Sequence, residues 1–163
     1  MKKVKAEKLT LESFAPFGSY SNVLDPEGPH LSGDYHDFYR DQAVIYAESR
    51  MPMAVSPLVV RKVEMKVTAV EWHNETCEGL MPLNDDAIVH LTPAGGAFDP
   101  DQTKVFIVPK GTMISIKPGV YHLTPYPAKE EALHALVLLP ERTYINDFLY
   151  YELSEDEQFI IER

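Results

Sequence analysis

The chain of 163 residues has a single cysteine, Cys77, and therefore cannot form an internal disulfide. It has no apolar run long enough to cross a bilayer, and its N-terminus lacks the apolar core of a secretory signal. We therefore predict a cytoplasmic protein with no membrane partner. Lys and Arg number 15 against 25 Asp and Glu, which gives a formal net charge of −10. This charge disfavours nucleic acid and anionic membrane surfaces as partners.

Long amphipathic helices are also absent, and short β-patterned segments separated by glycine and proline turns take their place. Residues 63–72 alternate between apolar and polar side chains, as in a half-buried strand. Residues 131–139 are almost continuously apolar, which is typical of a strand buried on both faces. The pattern predicts an all-β sandwich or barrel, and the length fits a single domain over residues 1–163.

The two ends of the chain carry local signals of their own. Lysines alternate with apolar residues over residues 1–11, which predicts an edge strand with its lysines in solvent. Thr10 is placed to cap a short helical turn that Pro16 and Gly18 would end. Near the C-terminus, Ser154 and Glu157 have the spacing of a capping box, which predicts a brief helix.

Three residues with metal-binding side chains flank predicted strands. His73 and Glu78 follow one strand, and His122 begins a later one. Two histidines and a carboxylate from neighbouring strands can form a facial ligand set that suits Mn, Fe, Ni or Zn. The same side chains could instead be hydrogen-bonded core residues, because a histidine and a glutamate five residues apart are a weak pattern. His90 shares a strand face with Ile88, which fits either a core or a pocket position.

The stretch 110–126 resembles the second cupin motif. Gly111, Gly119 and His122 stand at the spacing of that motif, whereas Lys117 stands where the motif has its proline and Tyr126 where it has its asparagine. The first cupin motif is poorly kept. The resemblance implies a cupin-like double-stranded β-helix, that is a jelly-roll barrel with short peripheral helices, and places His122 at its mouth.

Nearly the whole chain is similar to the ureidoglycolate lyase family, which shares this cupin-like barrel. The matching segments are residues 14–18, 35–37, 71–73, 106–109, 119–122 and 146–147. Members of the family cleave ureidoglycolate into glyoxylate and urea, a late step of purine (allantoin) catabolism. Two positions differ from the family: Glu78 stands in place of glutamine, and Leu123 follows His122 where a second histidine is expected.

The lyase reaction implied by this resemblance needs a base for the hydroxyl proton and an acid for the departing urea nitrogen. We predict His122 as the base, Glu78 as a proton acceptor or metal ligand, and His73 as a ligand or acid. One divalent metal, Zn, Mn, Ni or Fe, is the possible cofactor. The substrate carboxylate needs a cation, and the candidates are Lys117, Lys110, Arg61 or that metal.

The remaining predicted substrate contacts are Tyr35 and His36, in a loop that could close over the barrel mouth, and His90. Two other functions stay open. The carboxylate of Glu78 favours a different metal-dependent cupin enzyme that acts on a small hydroxy acid or a sugar. A small-molecule sensor would need an output partner. For the lyase we expect a small polar carboxylate substrate and a homodimer, because cupin-like sheets often pack against a twofold mate.

Overall fold

The computed structural model describes residues 1–163, and the chain is built mainly of β-strands. These are β1 (Lys2–Lys8), β2 (Gly18–Asn22), β3 (His30–Gly33), β4 (His36–Tyr39), β5 (Met53–Arg61), β6 (Lys66–Val67), β7 (Ala69–Trp72), β8 (Glu78–Pro82), β9 (Ala87–Leu91), β10 (Lys104–Val108), β11 (Thr112–Ile116), β12 (Tyr126–Pro127), β13 (Ala132–Pro140), β14 (Leu149–Glu152) and β15 (Phe159–Glu162). The helices are α1 (Leu11–Phe14), α2 (Thr143–Asn146) and a 3₁₀ turn, Pro100–Gln102. None of them is long and apolar enough to cross a membrane.

Two sheets form the body of the fold. One has the strand order β12-β9-β10-β1-β15-β6, and the other has the order β2-β11-β8-β13-β5. Two further pairs, β14 with β7 and β3 with β4, lie at the periphery. This architecture confirms the predicted all-β, cupin-like fold with short peripheral helices. The single domain over residues 1–163 stays a prediction.

The first strand is not the edge strand that its lysines predicted. β1 lies between β10 and β15 and runs parallel to both, with Ala6 opposite Val105. Its lysines find acidic partners on neighbouring elements: Lys3 Nζ lies 2.6 Å from Glu162 Oε1. A lysine-rich strand can therefore sit inside a sheet, because one face of that sheet stays in solvent and supplies the opposite charges.

Two other local predictions are also wrong. The strand predicted over residues 63–72 is divided at Thr68, and its halves β6 and β7 pair with β15 and β14 respectively. The predicted C-terminal helix is a turn followed by β15. The capping contact itself forms, with Ser154 N donating to Glu157 Oε2 at 2.9 Å. The parallel pairing of β15 with β1 continues the chain as strand instead of helix.

The main hydrophobic core lies between the two sheets and contains three packed phenylalanine rings. Phe14 from α1 and Phe17 meet Phe106 of β10 nearly edge to face, at ring-centroid distances of 5.3 and 5.5 Å. Thr10 caps α1 as predicted, because its Oγ1 accepts a hydrogen bond from Ser13 N at 3.1 Å. Each fully buried ring stabilises the fold by about 2–3 kcal/mol, so the short helix is held mainly by its phenylalanine.

A histidine lies against the second hydrophobic cluster, which includes Val70, Phe98 and Phe159. His90 of β9 has no exposed surface, and its ring meets Phe159 edge to face at 5.8 Å. Neither ring nitrogen has a hydrogen-bond partner. Burial, with a smaller effect from the charge of His122, lowers the pKa of His90 to about 3. The ring is therefore a neutral core group, and its unsatisfied nitrogens weaken the fold.

We expect His90→Leu to raise the free energy of unfolding by about 1–2 kcal/mol at pH 7, because it removes two buried polar atoms without partners. The stability advantage of the variant over wild type should grow by up to about 1.4 kcal/mol for each pH unit below the ordinary histidine pKa. Over this range the unfolded wild-type chain binds a proton at His90 that the folded chain excludes. Denaturant unfolding at several pH values measures both effects. His134→Leu on the exposed face of β13 is the matched control. A variant less stable than wild type would contradict the account.

Candidate active site

The site forms where the end of β7, the start of β8 and the segment after β11 meet. Glu71 and His122 are joined by two backbone hydrogen bonds: Glu71 N donates to His122 O at 2.7 Å, and His122 N donates to Glu71 O at 2.9 Å. Residues paired directly across antiparallel strands point to the same face, and alternate residues along a strand share that face. The side chains of Glu71, His73 and His122 therefore converge.

The turn between β11 and His122 fixes this arrangement. Gly119 has a φ of 76°, in the left-handed region that glycine adopts without a steric penalty. From there its backbone N donates to the carbonyl oxygen of His73 at 2.7 Å. The Pro118-Gly119 pair of the cupin-like motif thus holds the His122 segment against His73.

Glu78, the first residue of β8, lies between the two histidines. Its Oε2 is 3.1 Å from His73 Nε2 and 3.2 Å from His122 Nε2. The side chain is 12% exposed. Because both contacts use Oε2, Oε1 keeps its lone pairs for a ligand. The three residues predicted as a metal or catalytic group are thus neighbours in the structure.

The hydrogen bonds of the two imidazoles determine which nitrogens carry protons. His73 Nδ1 lies 2.6 Å from Asp147 O, and His122 Nδ1 lies 2.8 Å from Val120 O. A carbonyl oxygen only accepts, so each Nδ1 carries a hydrogen and donates it. Each Nε2 then either bears a second proton, which it can donate to Glu78, or offers a lone pair. The cluster can therefore hold either protons or a metal ion at the same nitrogens.

Electrostatics favours charged imidazoles when no metal is bound. Burial alone would raise the pKa of Glu78, but the charges and hydrogen bonds of His122 and His73 lower it to about 2. Burial alone would lower the pKa of His122, but the charge and hydrogen bond of Glu78 raise it to about 9. Burial alone would lower the pKa of His73, but its hydrogen bonds to Glu78 and to the Asp147 carbonyl, together with the charge of Glu78, raise it. At neutral pH His122 is therefore an imidazolium ring and Glu78 a carboxylate.

A cavity of about 410 Å³ opens onto one side of this cluster. Glu71, His73 and Glu78 line it, whereas His122 lies behind Glu78 with 3% of its side chain exposed. The cavity continues across the inner face of the five-stranded sheet, where its wall is apolar and includes Leu58, Val137 and Leu139. The β7–β8 region thus supplies Glu71, His73 and Glu78 to the cavity, and the segment after β13 supplies Glu141 and Arg142.

Three charged residues of the cavity were not among the predicted site residues: Glu71, Glu141 and Arg142. Glu71 lies two residues before His73, so strand alternation alone could have placed both on one face. Burial raises the pKa of Glu71, and the charge of Glu78 adds to this effect, while the histidines lower it. Arg142 lines the cavity from the segment between β13 and α2, and no motif in the sequence marks it.

The other predicted substrate contacts do not line this cavity. Lys117 is exposed on its turn, where Nζ donates to Ala15 O at 2.7 Å. Tyr35 and His36 belong to the exposed hairpin of β3 and β4, and Tyr35 is 92% exposed. His90 is in the core, Arg61 is at the exposed end of β5, and Lys110 is in an exposed turn.

The donor set of the cluster fits a divalent metal. Its three ligand atoms all lie within 4.8 Å of one another, and ligands that share one ion at about 2.0–2.2 Å can be up to about 4.4 Å apart. A small adjustment of side-chain torsions would close this difference. An Nδ1 hydrogen donated to a carbonyl is typical of metal-binding histidines, because it fixes the ring and leaves Nε2 free. His73, Glu78 and His122 are therefore the residues that could hold the ion.

Comparisons with known proteins agree on one family. The family model for ureidoglycolate lyase matches residues 1–155. A protein named ureidoglycolate lyase from Mesorhizobium japonicum is 30% identical over 135 residues, which covers 77% of this chain and 80% of that protein. Another of the same name, from Burkholderia cepacia, is 30% identical over 128 residues and covers 73% of this chain and 70% of its own length.

In metal-free protein, Glu78→Gln should lower the pKa of His122 from about 9 toward the ordinary value, because the neighbouring negative charge is lost. The raised pKa stabilises the folded wild type fully below the ordinary histidine pKa, and this contribution is lost as the pH rises through about 9. The Glu78→Gln variant should therefore lack this loss of stability at high pH. NMR titration of the imidazoles measures the pKa, with Glu75→Gln at an exposed position as control. An unchanged His122 pKa would show that Glu78 does not set its charge.

Proposed function

The chain belongs to the ureidoglycolate lyase family, and we propose that it cleaves ureidoglycolate to glyoxylate and urea in the cavity beside Glu78. The observation that carries this proposal is the buried His73–Glu78–His122 cluster opening on a cavity, in a chain that the family model matches over residues 1–155. A different metal-dependent cupin enzyme is not favoured, because the family and both named relatives point to ureidoglycolate.

The reaction needs one base and one acid. Ureidoglycolate carries a hydroxyl group and a ureido nitrogen on the same carbon. When a base takes the hydroxyl proton, the oxygen forms the aldehyde carbonyl of glyoxylate and the bond from carbon to nitrogen breaks. The nitrogen takes a proton from an acid and leaves as urea. Atoms balance without water or a redox partner.

We assign the base role to Glu71, not to His122 as the sequence predicted. Glu71 lines the cavity, and burial raises the pKa of its carboxyl above that of an ordinary glutamate. A carboxylate with a raised pKa is a stronger base near neutral pH. His122, by contrast, is behind Glu78, and its raised pKa keeps it protonated at neutral pH. Its role in this proposal is to hold the charge and position of Glu78.

The acid of the metal-free site is His73. Its ring lines the cavity, and its pKa is raised above the ordinary histidine value, which favours a proton on Nε2 beside Glu78. The Asp147 carbonyl holds the opposite edge of the ring through Nδ1. A proton at Nε2 can thus pass to the leaving nitrogen directly or through Glu78, and the product imidazole is still held in place.

A divalent metal at His73, Glu78 and His122 would supply a Lewis acid for the oxygens of the substrate. Metal binding requires unprotonated Nε2 atoms, so it excludes the doubly protonated histidines of the metal-free site. In either state Glu71 remains beside the cluster and available as the base. Zn, Mn, Ni and Fe all suit two imidazoles and one carboxylate.

Turnover of ureidoglycolate tests the assignment of the base. Wild-type protein should release glyoxylate and urea in equal amounts, and Glu71→Gln should lower kcat by about 100-fold or more because the base is lost. Glu75→Gln, in the exposed loop after β7, should keep wild-type turnover. A wild-type protein without activity would refute the function. Full activity of Glu71→Gln with loss of activity in a folded His122→Ala variant would return the base role to His122.

Elemental analysis tests the metal. Protein purified without an affinity metal, then loaded with Zn, Mn, Ni or Fe in turn, should bind one ion per chain, and His73→Ala should bind none. Binding should release protons and weaken as the pH falls, because the metal competes with protons at Nε2. Absence of any stoichiometric ion in wild-type protein would remove the metal from the mechanism.

We also infer a homodimer and a cytoplasmic location, which the sequence predicted. In support of the dimer, β5 is the edge strand of its sheet and exposes Met53, Val55 and Val59. Cys77 is a free thiol, which agrees with a reducing compartment. Analytical ultracentrifugation reads the oligomeric state, and a monomer at micromolar concentration would contradict the dimer.

A further inference from the structure

Among the charged side chains around the cavity, one could meet an anionic substrate. Among the lysines and arginines, only Arg142 lines the cavity. Three glutamates line it as well, Glu71, Glu78 and Glu141, and the whole chain has a net charge of −10. A carboxylate entering this cavity would be repelled without a local cation. Arg142 supplies that cation: its side chain is 62% exposed, and its Nε lies 3.7 Å from Glu141 Oε1, which leaves the terminal guanidinium nitrogens for a ligand.

The backbone at Arg142 is in a conformation that arginine rarely adopts. Its φ is 66° and its ψ is 20°, in the left-handed region, and Asp41 is the other residue besides glycine with a positive φ. Aspartate is one of the residue types that tolerate this conformation, whereas arginine gains nothing locally from it. Strained backbone of this kind often marks a functional position, where the side chain must be aimed. Glycine would relieve the strain but could not reach a ligand.

The segment that begins with Arg142 is fastened to the catalytic cluster at its other end. Thr143 Oγ1 donates to Pro140 O at 2.7 Å and fixes the start of α2. After α2, the Asp147 carbonyl accepts from His73 Nδ1 at 2.6 Å. The Asp147 carboxylate also accepts from the two backbone amides that follow His73, each at 2.8 Å: Asn74 N and Glu75 N. One short helix therefore sets the position of Arg142 relative to His73.

We propose that the Arg142 guanidinium binds the carboxylate of the substrate and makes the cavity selective for acids over their neutral amides. This inference rests on the proposed function. A guanidinium group can form two parallel hydrogen bonds with a carboxylate, which fixes its orientation as well as its charge. With the carboxylate on Arg142, the hydroxyl and ureido groups of the substrate extend toward Glu71 and His73. Arg142 is then a substrate-binding and specificity-determining residue, not an acid or a base.

The cations predicted from sequence give matched controls. Lys117 is exposed and committed to the Ala15 carbonyl, and it does not line the cavity. Lys117→Gln removes one positive charge from the same molecule at a position outside the cavity. Arg142→Lys keeps the charge but loses the paired hydrogen bonds, so it should fall between wild type and Arg142→Gln.

Kinetics with two substrates tests the proposal. For ureidoglycolate, Arg142→Gln should lower kcat/KM by about tenfold or more, because a charge-assisted contact is lost. For the primary amide of ureidoglycolate, which has no carboxylate, wild type and Arg142→Gln should be equal. Lys117→Gln should match wild type on both. An equal loss on both substrates would show a merely structural role, and no loss on either would place the carboxylate elsewhere, for example on a bound metal.

Binding of glyoxylate keeps the test independent of turnover. Isothermal titration calorimetry should show that wild type binds glyoxylate and that Arg142→Gln and Arg142→Gly bind it about tenfold or more weakly. Arg142→Gly should also melt at the same or a higher temperature than wild type, because the left-handed strain is relieved. Wild-type protein that binds no glyoxylate, or an Arg142→Gln variant that binds it equally well, overturns the proposal. If wild-type protein bound glyoxylate through Arg142 but did not turn over ureidoglycolate, only the proposed reaction would be refuted.

Discussion

The site depends on one constraint: the Glu78 carboxylate lies between two imidazole rings and is almost completely buried. A buried carboxylate without partners would cost several kcal/mol in desolvation. Here the cost is offset by His73 and His122, or by a metal that replaces their Nε2 protons. Each of these partners must therefore be held firmly, and the surrounding backbone does so through the Asp147 and Val120 carbonyls.

The fold supplies that support from segments far apart in the chain. β7 delivers Glu71 and His73, β8 begins at Glu78, and the Gly119 turn returns the chain so that His122 pairs with Glu71. The apolar wall of the cavity comes from the same sheet as Glu78, because β13 pairs with β8 on one side and with β5 on the other. Glu78 and the apolar wall are thus parts of one sheet surface, to which β7 and the His122 segment bring the other residues of the cluster.

Sequence patterns predicted the parts of this arrangement that depend on local chemistry. Period-two alternation and turn residues gave the β class, and the Pro-Gly turn before His122 identified the segment that reaches the site. The family resemblance, now supported by the family comparison, depended on the same short segments. These signals are local because backbone conformation at glycine and strand alternation do not depend on distant partners.

What the sequence did not predict depends on long-range contacts. The lysines of β1 suggested an edge, but Glu162 and the flanking strands place it inside a sheet. Lys117 stood beside His122 in the sequence, yet its side chain turns to the Ala15 carbonyl, while Arg142 reaches the cavity from a segment with no motif. The direction of a long side chain is set by tertiary packing, which the local pattern does not encode.

The most direct measurement is NMR of protein labelled at its histidine rings, titrated with glyoxylate. The chain has six histidines, so each site residue has internal controls. We expect the resonances of His73 and His122 to shift together and saturate, because an anion held at Arg142 beside the cluster changes the electrostatic field at Glu78, whose charge both rings share. The other four should not move: His30, His36, His90 and His134. Shifts confined to the hairpin residues His30 and His36, or no shift at His73, would show that glyoxylate does not bind beside the Glu78 cluster.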